Sequence, residues 1–409
     1  MKITVRLLLI FSFLSVGLAA DGSLIGRFTV IPDESGQFVT VEAEFPLQNK
    51  TPYLKDFGQM EHIRWYVNNQ EVSIEAERKK DLLVFRGLPA SGLAKAVYKL
   101  KCITRPDPGY RKHLMGSSSY ILAREGLFLG LTGRENELVE IHWILPPGWS
   151  LALGSQGPQR FVDTQRKLWV AGKMNELAEE KIGKNVFRIA VIEGTFEKSS
   201  RRSMEAMKAI FLYAWQTFGP LDVQEFGLAV FPRESIGGGT ALGYTLATED
   251  YWITAVHEML HWWTNPHTPA WFREGVHTYI SAKILVRLGL ISHAEFMQFL
   301  KNCLLEHHKV IEREGERCPL AKSSENYDLG RGGGDIYGLM PLFAYKLDRE
   351  IQAHSPSASL DQVFAAVCRE RRLKFDLLPL IKKETGFDPE RLFQTYFYVR
   401  VEDTDALLR

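Results

Sequence analysis

Residues 257–261 read His-Glu-Met-Leu-His. On a helix, His257 and His261 lie about one turn apart on the same face, roughly 6 Å along the axis. Two imidazoles in this geometry can bind one Zn²⁺, and Glu258, beside the first histidine, can accept the proton of a water held at the metal. This HExxH spacing therefore predicts a helix that carries a catalytic zinc site.

The segment after this motif offers a third metal ligand. Residues 271–288 carry apolar side chains at helical spacing and follow a proline-containing connection, so they predict a second helix. A short loop between the helices can bring Glu274 to the two histidines and give a His₂Glu set with one open position, typical of catalytic zinc. His267, six residues after His261, is the alternative third ligand, and a site without metal is another interpretation. His277 lies on the same helical face as Glu274, and we expect it to pack beside the site or support a ligand.

The composition describes a globular chain of 409 residues, with 45% hydrophobic residues and a formal net charge of +1. A chain of this length predicts two or three domains with substantial hydrophobic cores. The basic clusters at 78–80 and 369–372 are flanked or broken by acidic residues, which indicates solvated surfaces. We therefore expect no nucleic-acid partner.

The first 20 residues predict a secretory signal peptide. Lys2 and Arg6 precede an apolar run over residues 7–18, and small residues at 19–20 precede a polar stretch. The apolar run is about a dozen residues, whereas a membrane span takes about 20. We therefore expect an exported protein, periplasmic or secreted, without a stable membrane span. An uncleaved N-terminal anchor is the alternative.

The four cysteines have neither zinc-knuckle nor CxxC spacing. In an exported chain, Cys303 and Cys318 could form a disulfide, but free buried thiols fit the sequence equally well. The sequence leaves both interpretations open.

Hydrophobic periodicity divides the remaining chain into two parts. Residues 21–150 contain short alternating segments such as 38–45, separated by turn residues, and predict an all-β sandwich domain. Residues 151–409 form a second domain, β-rich to about residue 249 and helical in periodicity over 250–409. We predict an α+β chain in which an N-terminal all-β sandwich precedes a catalytic domain with a mainly helical C-terminal part.

Several separated segments occur in the order typical of one enzyme family. They are Pro146-Pro147-Gly148-Trp149, Phe231-Pro232 followed by Gly237-Gly238-Gly239, Glu274-Gly275, residues 285–292, and Tyr337 ten residues before the segment 347–351. On these segments, the chain from about Gly126 onward resembles the glycyl aminopeptidase family of gluzincin zinc metallopeptidases, distant relatives of aminopeptidase N. The resemblance implies a thermolysin-like catalytic domain, a Zn²⁺ cofactor and a peptide or protein substrate.

The resemblance also implies roles for residues outside the metal motif. Tyr337 is the expected catalytic hydrogen-bond donor to the carbonyl oxygen that becomes negative during hydrolysis, with Tyr327 as the alternative donor and core packing as the structural alternative for Tyr337. Gly237, Gly238 and Gly239 are the expected substrate-binding loop, because a peptide backbone can lie close to glycine, or else they form an ordinary loop.

One departure from the family concerns substrate specificity. Relatives place in the glycine-rich loop a glutamate that binds the free α-amine of the substrate, whereas residues 239–242 read Gly-Thr-Ala-Leu. Glu234, Glu249 and Asp250 are possible replacements. The sequence thus predicts a zinc-dependent peptidase that uses a metal-activated water, with aminopeptidase specificity left open. One alternative is an inactive peptide-binding relative, against which the intact Glu258 argues. A further alternative is an envelope adhesion protein.

Overall fold

The structure is a computed structural model. It describes residues 24–48, 51–55, 60–79, 82–103, 114–123, 127–133, 137–164, 167–182, 185–193, 200–221, 225–231, 239–241, 244–248, 252–264, 268–314, 318–329, 335–370, 376–401 and 403–408. The predicted signal peptide, Gly237, Gly238 and His267 lie outside these residues, as do Glu234, Glu249 and Asp250.

The N-terminal part consists of three β-sheets. Its strands are β1 (Leu24–Pro32), β2 (Phe38–Gln48), β3 (Pro52–Lys55), β4 (Met60–Val67), β5 (Gln70–Val72), β6 (Glu75–Lys79), β7 (Leu82–Arg86), β8 (Ser91–Lys101), β9 (Leu114–Ser117), β10 (Tyr120–Ala123), β11 (Gly130–Leu131), β12 (Leu138–Trp143), β13 (Ser150–Leu153), β14 (Gly157–Arg160) and β15 (Trp169–Gly172), with the short helix α1 (Phe161–Thr164). One sheet has the order β14-β12-β1-β2-β8-β4-β5, and the others have the orders β13-β15-β10-β9 and β11-β3-β7-β6.

Alternation of side chains along β8 explains why these sheets enclose a core. Ala94, Ala96, Tyr98 and Leu100 point inward and are buried, while the residues between them are partly exposed. β8 pairs antiparallel with β2 over the full length of both strands. The Tyr98 hydroxyl donates a hydrogen bond to the Leu127 carbonyl at 2.8 Å, so this buried polar group is satisfied.

The sheet β13-β15-β10-β9 contains strands from both sides of residue 150. One face of this sheet packs on residues after 185 through a small apolar cluster. That cluster includes Tyr120, Leu122, Val170, Ile192, Ala229 and Phe231. The boundary predicted at residue 150, like the other domain limits, stays a prediction.

A mixed five-stranded sheet begins the second part. Its strands are β16 (Met174–Ile182), β17 (Asn185–Ile192), β18 (Glu225–Phe231), β19 (Gly239–Ala241) and β20 (Tyr244–Thr248), in the order β16-β17-β18-β20-β19. β17, β18 and β20 are parallel neighbours. Parallel strands need a crossover connection, and helix α2 (Ser200–Phe218) provides it between β17 and β18. Phe211 on α2 packs on Phe226 of β18, with ring centroids 4.7 Å apart.

Helices dominate the rest of the chain. They are α3 (Trp252–Leu260), a π-helical segment (Trp271–Val276), α4 (His277–Arg287), α5 (His293–Glu314), α6 (Leu320–Asp328), α7 (Leu339–His354), α8 (Leu360–Arg369), α9 (Leu377–Thr385), α10 (Glu390–Tyr396) and a 3₁₀ turn (Thr404–Leu407). The predicted α+β architecture, with a β-rich N-terminal part and a helical C-terminal part, is confirmed. Within the described residues, no helix has both the length and the apolar character that a membrane crossing requires.

The four cysteines are free thiols. Cys102 and Cys303 are buried, and burial raises the pKa of each thiol to about 12. Of the two interpretations left open by the sequence, the structure has the free thiols.

Candidate metal centre

Helix α3 positions the two histidines of the HExxH motif. Val256, Met259 and Leu260 are fully buried and fix one face of this helix in the core. His257 lies on α3 and His261 follows its last residue, and their Nε2 atoms are 3.1 Å apart. Both imidazoles therefore converge on one point, as the spacing predicts.

Glu274 reaches this point from the π-helical segment. Its Oε2 lies 3.3 Å from His257 Nε2 and 3.9 Å from His261 Nε2. A π-helical turn inserts one residue into a helix and is frequent at functional sites, because it redirects side chains. A Cβ at Gly275 would lie 2.5 Å from the Cβ of Met340, so glycine allows helix α7 to approach the ligand-bearing segment.

The three converging atoms fit one zinc ion. Their mutual distances are 3.1, 3.3 and 3.9 Å. Two ligands about 2.0–2.1 Å from one tetrahedral zinc lie roughly 3.4 Å from each other. His257, His261 and Glu274 thus match the donor types and the spacing of a His₂Glu zinc site.

Thr278 sets the tautomer of His257. The Thr278 hydroxyl lies 2.9 Å from His257 Nδ1 and donates to the Glu274 carbonyl at 2.7 Å. Since that hydroxyl has a single hydrogen, it accepts from His257 and the imidazole proton is on Nδ1. The Nε2 lone pair then faces His261 and Glu274, as a metal ligand requires.

Burial and neighbouring side chains together set the charges of the other two ligands. Burial and the neighbouring His257 lower the pKa of His261 to about 3, so this imidazole is neutral. Burial opposes ionisation of Glu274, but its contacts with His257 and His261 outweigh burial and lower its pKa to about 2. A neutral imidazole and a carboxylate are the protonation states that bind a divalent metal.

Arg273 holds the Glu274 side chain in place. Its Nε donates to Glu274 Oε1 at 3.2 Å, while its terminal nitrogens contact Asp328 Oδ1 and the Thr268 carbonyl, both at 3.1 Å. One carboxylate oxygen of Glu274 is therefore occupied by arginine. The other oxygen is directed at the histidines.

Two tyrosines adjoin the metal ligands. The Tyr337 hydroxyl donates to Glu274 Oε2 at 2.9 Å and lies 3.1 Å from the Tyr327 hydroxyl. Both predicted candidates for the hydrogen-bond donor are thus at the site. Tyr337 is 49% exposed, which does not fit the alternative role as a core aromatic. Partial burial and the Glu274 carboxylate raise the pKa of Tyr337, so its phenol keeps the proton.

His277 is a fully buried neighbour of the site. Its ring lies 4.5 Å from that of His261 and 5.1 Å from that of Phe364. Among the described residues its ring nitrogens have no hydrogen-bond partner, and burial lowers its pKa well below the ordinary value. Its ligand atom is within 4.8 Å of those of His257 and His261, a looser set than the one that Glu274 completes.

The remaining predicted residues lie near this centre or outside the described residues. Glu258 is partly buried on α3, next to His257. Gly239 begins β19, an edge strand of the five-stranded sheet that pairs antiparallel with β20. Gly237 and Gly238, the rest of the predicted substrate loop, and His267, the alternative ligand, are not among the described residues.

Sequence reasoning missed Thr278, Arg273 and Asp328. Thr278 lies four residues after Glu274, on the same helical face, and that spacing is the signal that could have found it. Arg273 and Asp328 carry no comparable signal, since they meet only through the tertiary fold.

No family model and no curated protein matches the chain, but solved structures do. An aminopeptidase N family protein from Idiomarina loihiensis superposes with a TM-score of 0.74 at 14% identity, covering 94% of this chain and 78% of that one. An M1 zinc metallopeptidase mutant from Deinococcus radiodurans, bound to a Tyr-Ser-Ala substrate, gives 0.58 at 13% identity, covering 93% and 95%. Yeast LTA4 hydrolase in complex with bestatin gives 0.53 at 12% identity, covering 92% and 68%. The likeness establishes the fold, which is the fold that the predicted relation to aminopeptidase N-like gluzincins implies.

Proposed function

We propose that the chain is a zinc-dependent peptidase. The observation that carries this proposal is the convergence of His257 Nε2, His261 Nε2 and Glu274 Oε2 at distances that suit one tetrahedral ion. The structural neighbours, which include a protein named as an M1 zinc metallopeptidase, support it through the shared fold. When bound, Zn²⁺ makes water more acidic and polarises a peptide carbonyl.

Two residues perform the proton transfer and the charge stabilisation in this proposal. Glu258 accepts the proton of the attacking water and passes it to the leaving amine. Tyr337 keeps its proton and donates a hydrogen bond to the carbonyl oxygen as negative charge grows there. One such donor contributes about 2.7–4 kcal/mol to transition-state stabilisation.

The proposed substrate is a peptide or protein segment. The edge strand β19 can pair with an extended backbone, which is a common way to bind peptides. Residues 239–242 contain no carboxylate that could anchor a free α-amine. The proposal therefore covers peptide-bond hydrolysis without a strict requirement for a free N-terminus.

Metal analysis combined with a peptide digest tests this function. We expect the purified protein to contain about one zinc per chain and to cleave a mixed peptide library, with cleavage lost on chelation and restored by zinc. Mass spectrometry of the products identifies the bonds that are cut. A folded protein that binds no zinc, or that binds zinc and peptides without cutting them, contradicts the proposal.

We also propose that the chain is exported. The pattern of residues 1–20 supports this, with a basic start, an apolar run and small residues before a polar stretch. Expression in a secreting host should yield a mature protein that begins near residue 21. An intact N-terminus in the membrane fraction would favour the uncleaved anchor instead.

A further inference from the structure

A second buried histidine–carboxylate pair lies outside the metal centre. His307 on α5 and Asp335 before α7 are almost completely buried, at 1% and 2% exposure. His307 Nδ1 lies 2.6 Å from Asp335 Oδ1, a short distance typical of charge-assisted hydrogen bonds. The pair joins two segments that are 28 residues apart in the sequence.

The pair fixes the turn that precedes α7. The Asp335 carbonyl accepts a hydrogen bond from the Met340 amide at 3.2 Å, and Ile336 is fully buried. A Cβ at Gly338 would lie 3.0 Å from the backbone nitrogen of His307 and 3.3 Å from Asp335 Oδ1. The turn therefore packs directly on the backbone of α5, and the side chain of His307 locks its first residue.

Tyr337 is the exposed residue of this turn. It follows Asp335 by two positions, and its hydroxyl reaches Glu274 Oε2 at 2.9 Å. The five residues before Asp335 read Gly-Arg-Gly-Gly-Gly, so Arg331 alone among them has a side chain beyond hydrogen. The hydrogen bond at Asp335 is thus the side-chain anchor nearest to Tyr337 on its N-terminal side, among the residues that the structure describes.

We propose that His307 and Asp335 are positioning residues for Tyr337. Their hydrogen bond fixes the turn and keeps the Tyr337 hydroxyl beside the metal ligands, where it can reach a substrate carbonyl. This inference rests on the proposed peptidase function. A misplacement of about 1 Å can cost roughly 10²-fold in rate. Loss of the pair should therefore lower kcat and leave the zinc site intact.

The test compares variants that break the pair with variants that preserve it. His307→Phe keeps an aromatic ring and removes the donor, whereas Asp335→Asn keeps an acceptor oxygen for the imidazole N–H. The double variant His307→Phe/Asp335→Leu leaves no unpaired polar group, so it covers the case in which the single variant does not fold. Tyr279→Phe is the matched control, because it removes a different buried hydrogen bond, the 2.6 Å contact with Asp348 on α7.

Steady-state kinetics, zinc content and melting temperature separate positioning from general stability. We expect His307→Phe and the double variant to lower kcat by about 10- to 100-fold, with KM within about twofold and zinc unchanged. Asp335→Asn should keep kcat within about threefold of the unmodified protein. Tyr279→Phe should lower the melting temperature without changing kcat. A kcat loss in the control equal to that of His307→Phe would reduce the pair to a structural role.

A double-mutant cycle with Tyr337→Phe decides the mechanism. If the pair acts through Tyr337, adding His307→Phe to Tyr337→Phe costs less than about twofold in kcat, because the positioned hydroxyl is already gone. An undiminished loss in that background overturns the proposal, as does a Tyr337→Phe variant with full activity. Chelator-sensitive hydrolysis by the unmodified protein tests the peptidase function separately: if it is present and His307→Phe is fully active, the positioning role alone fails. If it is absent, both proposals fail.

Discussion

The β-rich and helical parts of this molecule differ in how many polar or charged residues they bury. Of the fifteen buried polar or charged residues in the described part of the chain, two precede residue 250 and thirteen follow it. The core shared by the N-terminal sheets includes aromatic contacts, such as Phe128 against Phe28 and Trp169, with ring centroids 5.1 and 5.2 Å apart. Buried polar groups cost stability unless they are paired, so their concentration in one region marks where the fold serves chemistry. Each part has its own apolar core, and only the helical part combines that core with the candidate site.

The largest expected effect is a loss of peptidase activity in the helical part without a loss of zinc or of folding stability. Glu258→Gln removes the proton acceptor but leaves the three metal ligands in place. We expect zinc content and melting temperature to stay unchanged while kcat falls by about 10²–10⁴-fold. The check is a digest of the same peptide library by the variant and the unmodified protein. Normal cleavage by Glu258→Gln would assign the proton transfer to another group.

The next effect concerns the third ligand. Glu274→Ala should lose stoichiometric zinc, because two imidazoles alone leave the ion without the carboxylate that completes the site. His267→Ala is the matched variant, since His267 is the alternative ligand in the sequence, and it should keep zinc. Metal content by mass spectrometry after gel filtration measures both. Full zinc in Glu274→Ala together with empty His267→Ala would transfer the ligand role to His267.

A core substitution in the N-terminal sheets tests whether the β-rich part affects stability without affecting catalysis. Phe128 is fully buried between aromatic neighbours, so Phe128→Ala leaves a cavity and should cost about 3–5 kcal/mol of unfolding free energy. We expect kcat to stay unchanged below the melting transition. Denaturant unfolding and peptide kinetics on the same sample measure the two quantities. A large fall in kcat at full folding would show that the β-rich part contributes to the site.

The sequence predicts the local parts of the site better than the tertiary ones. His257, Glu258 and His261 follow from the spacing within one helical turn. Glu274 follows from the next helix, with His267 as the alternative ligand that the sequence leaves open. The π-helical segment was not predictable, because apolar periodicity over six residues does not separate a π-turn from an α-turn. The His307–Asp335 pair was not predictable either, since its partners meet only when α5 packs beside the turn before α7.

In the fold, too, the sequence predicts local features better than long-range ones. Alternating segments before residue 150 predict a β-sandwich because side-chain direction in a strand repeats every two residues. The sequence does not predict the sheet β13-β15-β10-β9, since pairing between β10 and β15 depends on long-range contacts. The conformation of residues 239–241 as an edge strand likewise depends on pairing with β20 rather than on local propensity.

Thr278→Val tests whether the hydrogen-bond partner of a metal ligand contributes to zinc affinity. The variant keeps the shape of the side chain and removes the hydroxyl that accepts from His257 Nδ1. Loss of such a partner typically costs 10- to 100-fold in metal affinity or activity. Zinc titration against a competing chelator measures the affinity. Thr278→Ser keeps a hydroxyl and should retain most of the zinc affinity. A Thr278→Val variant that binds zinc as tightly as the unmodified protein would show that Thr278 does not support the metal ligands.

The smallest expected effect concerns substrate choice, and it separates this chain from aminopeptidases. An enzyme that binds a free α-amine through a carboxylate discriminates strongly against a blocked peptide, because the buried carboxylate is then left without its charged partner. Residues 239–242 lack such a carboxylate. We therefore expect an N-acetylated peptide to be cleaved at a rate equal to that of its free-amine counterpart or somewhat faster. Paired assays of kcat/KM on matched peptides measure this ratio. A strict requirement for the free amine would instead assign the anchor to a carboxylate elsewhere in the chain, with Glu234, Glu249 and Asp250 as the first positions to substitute.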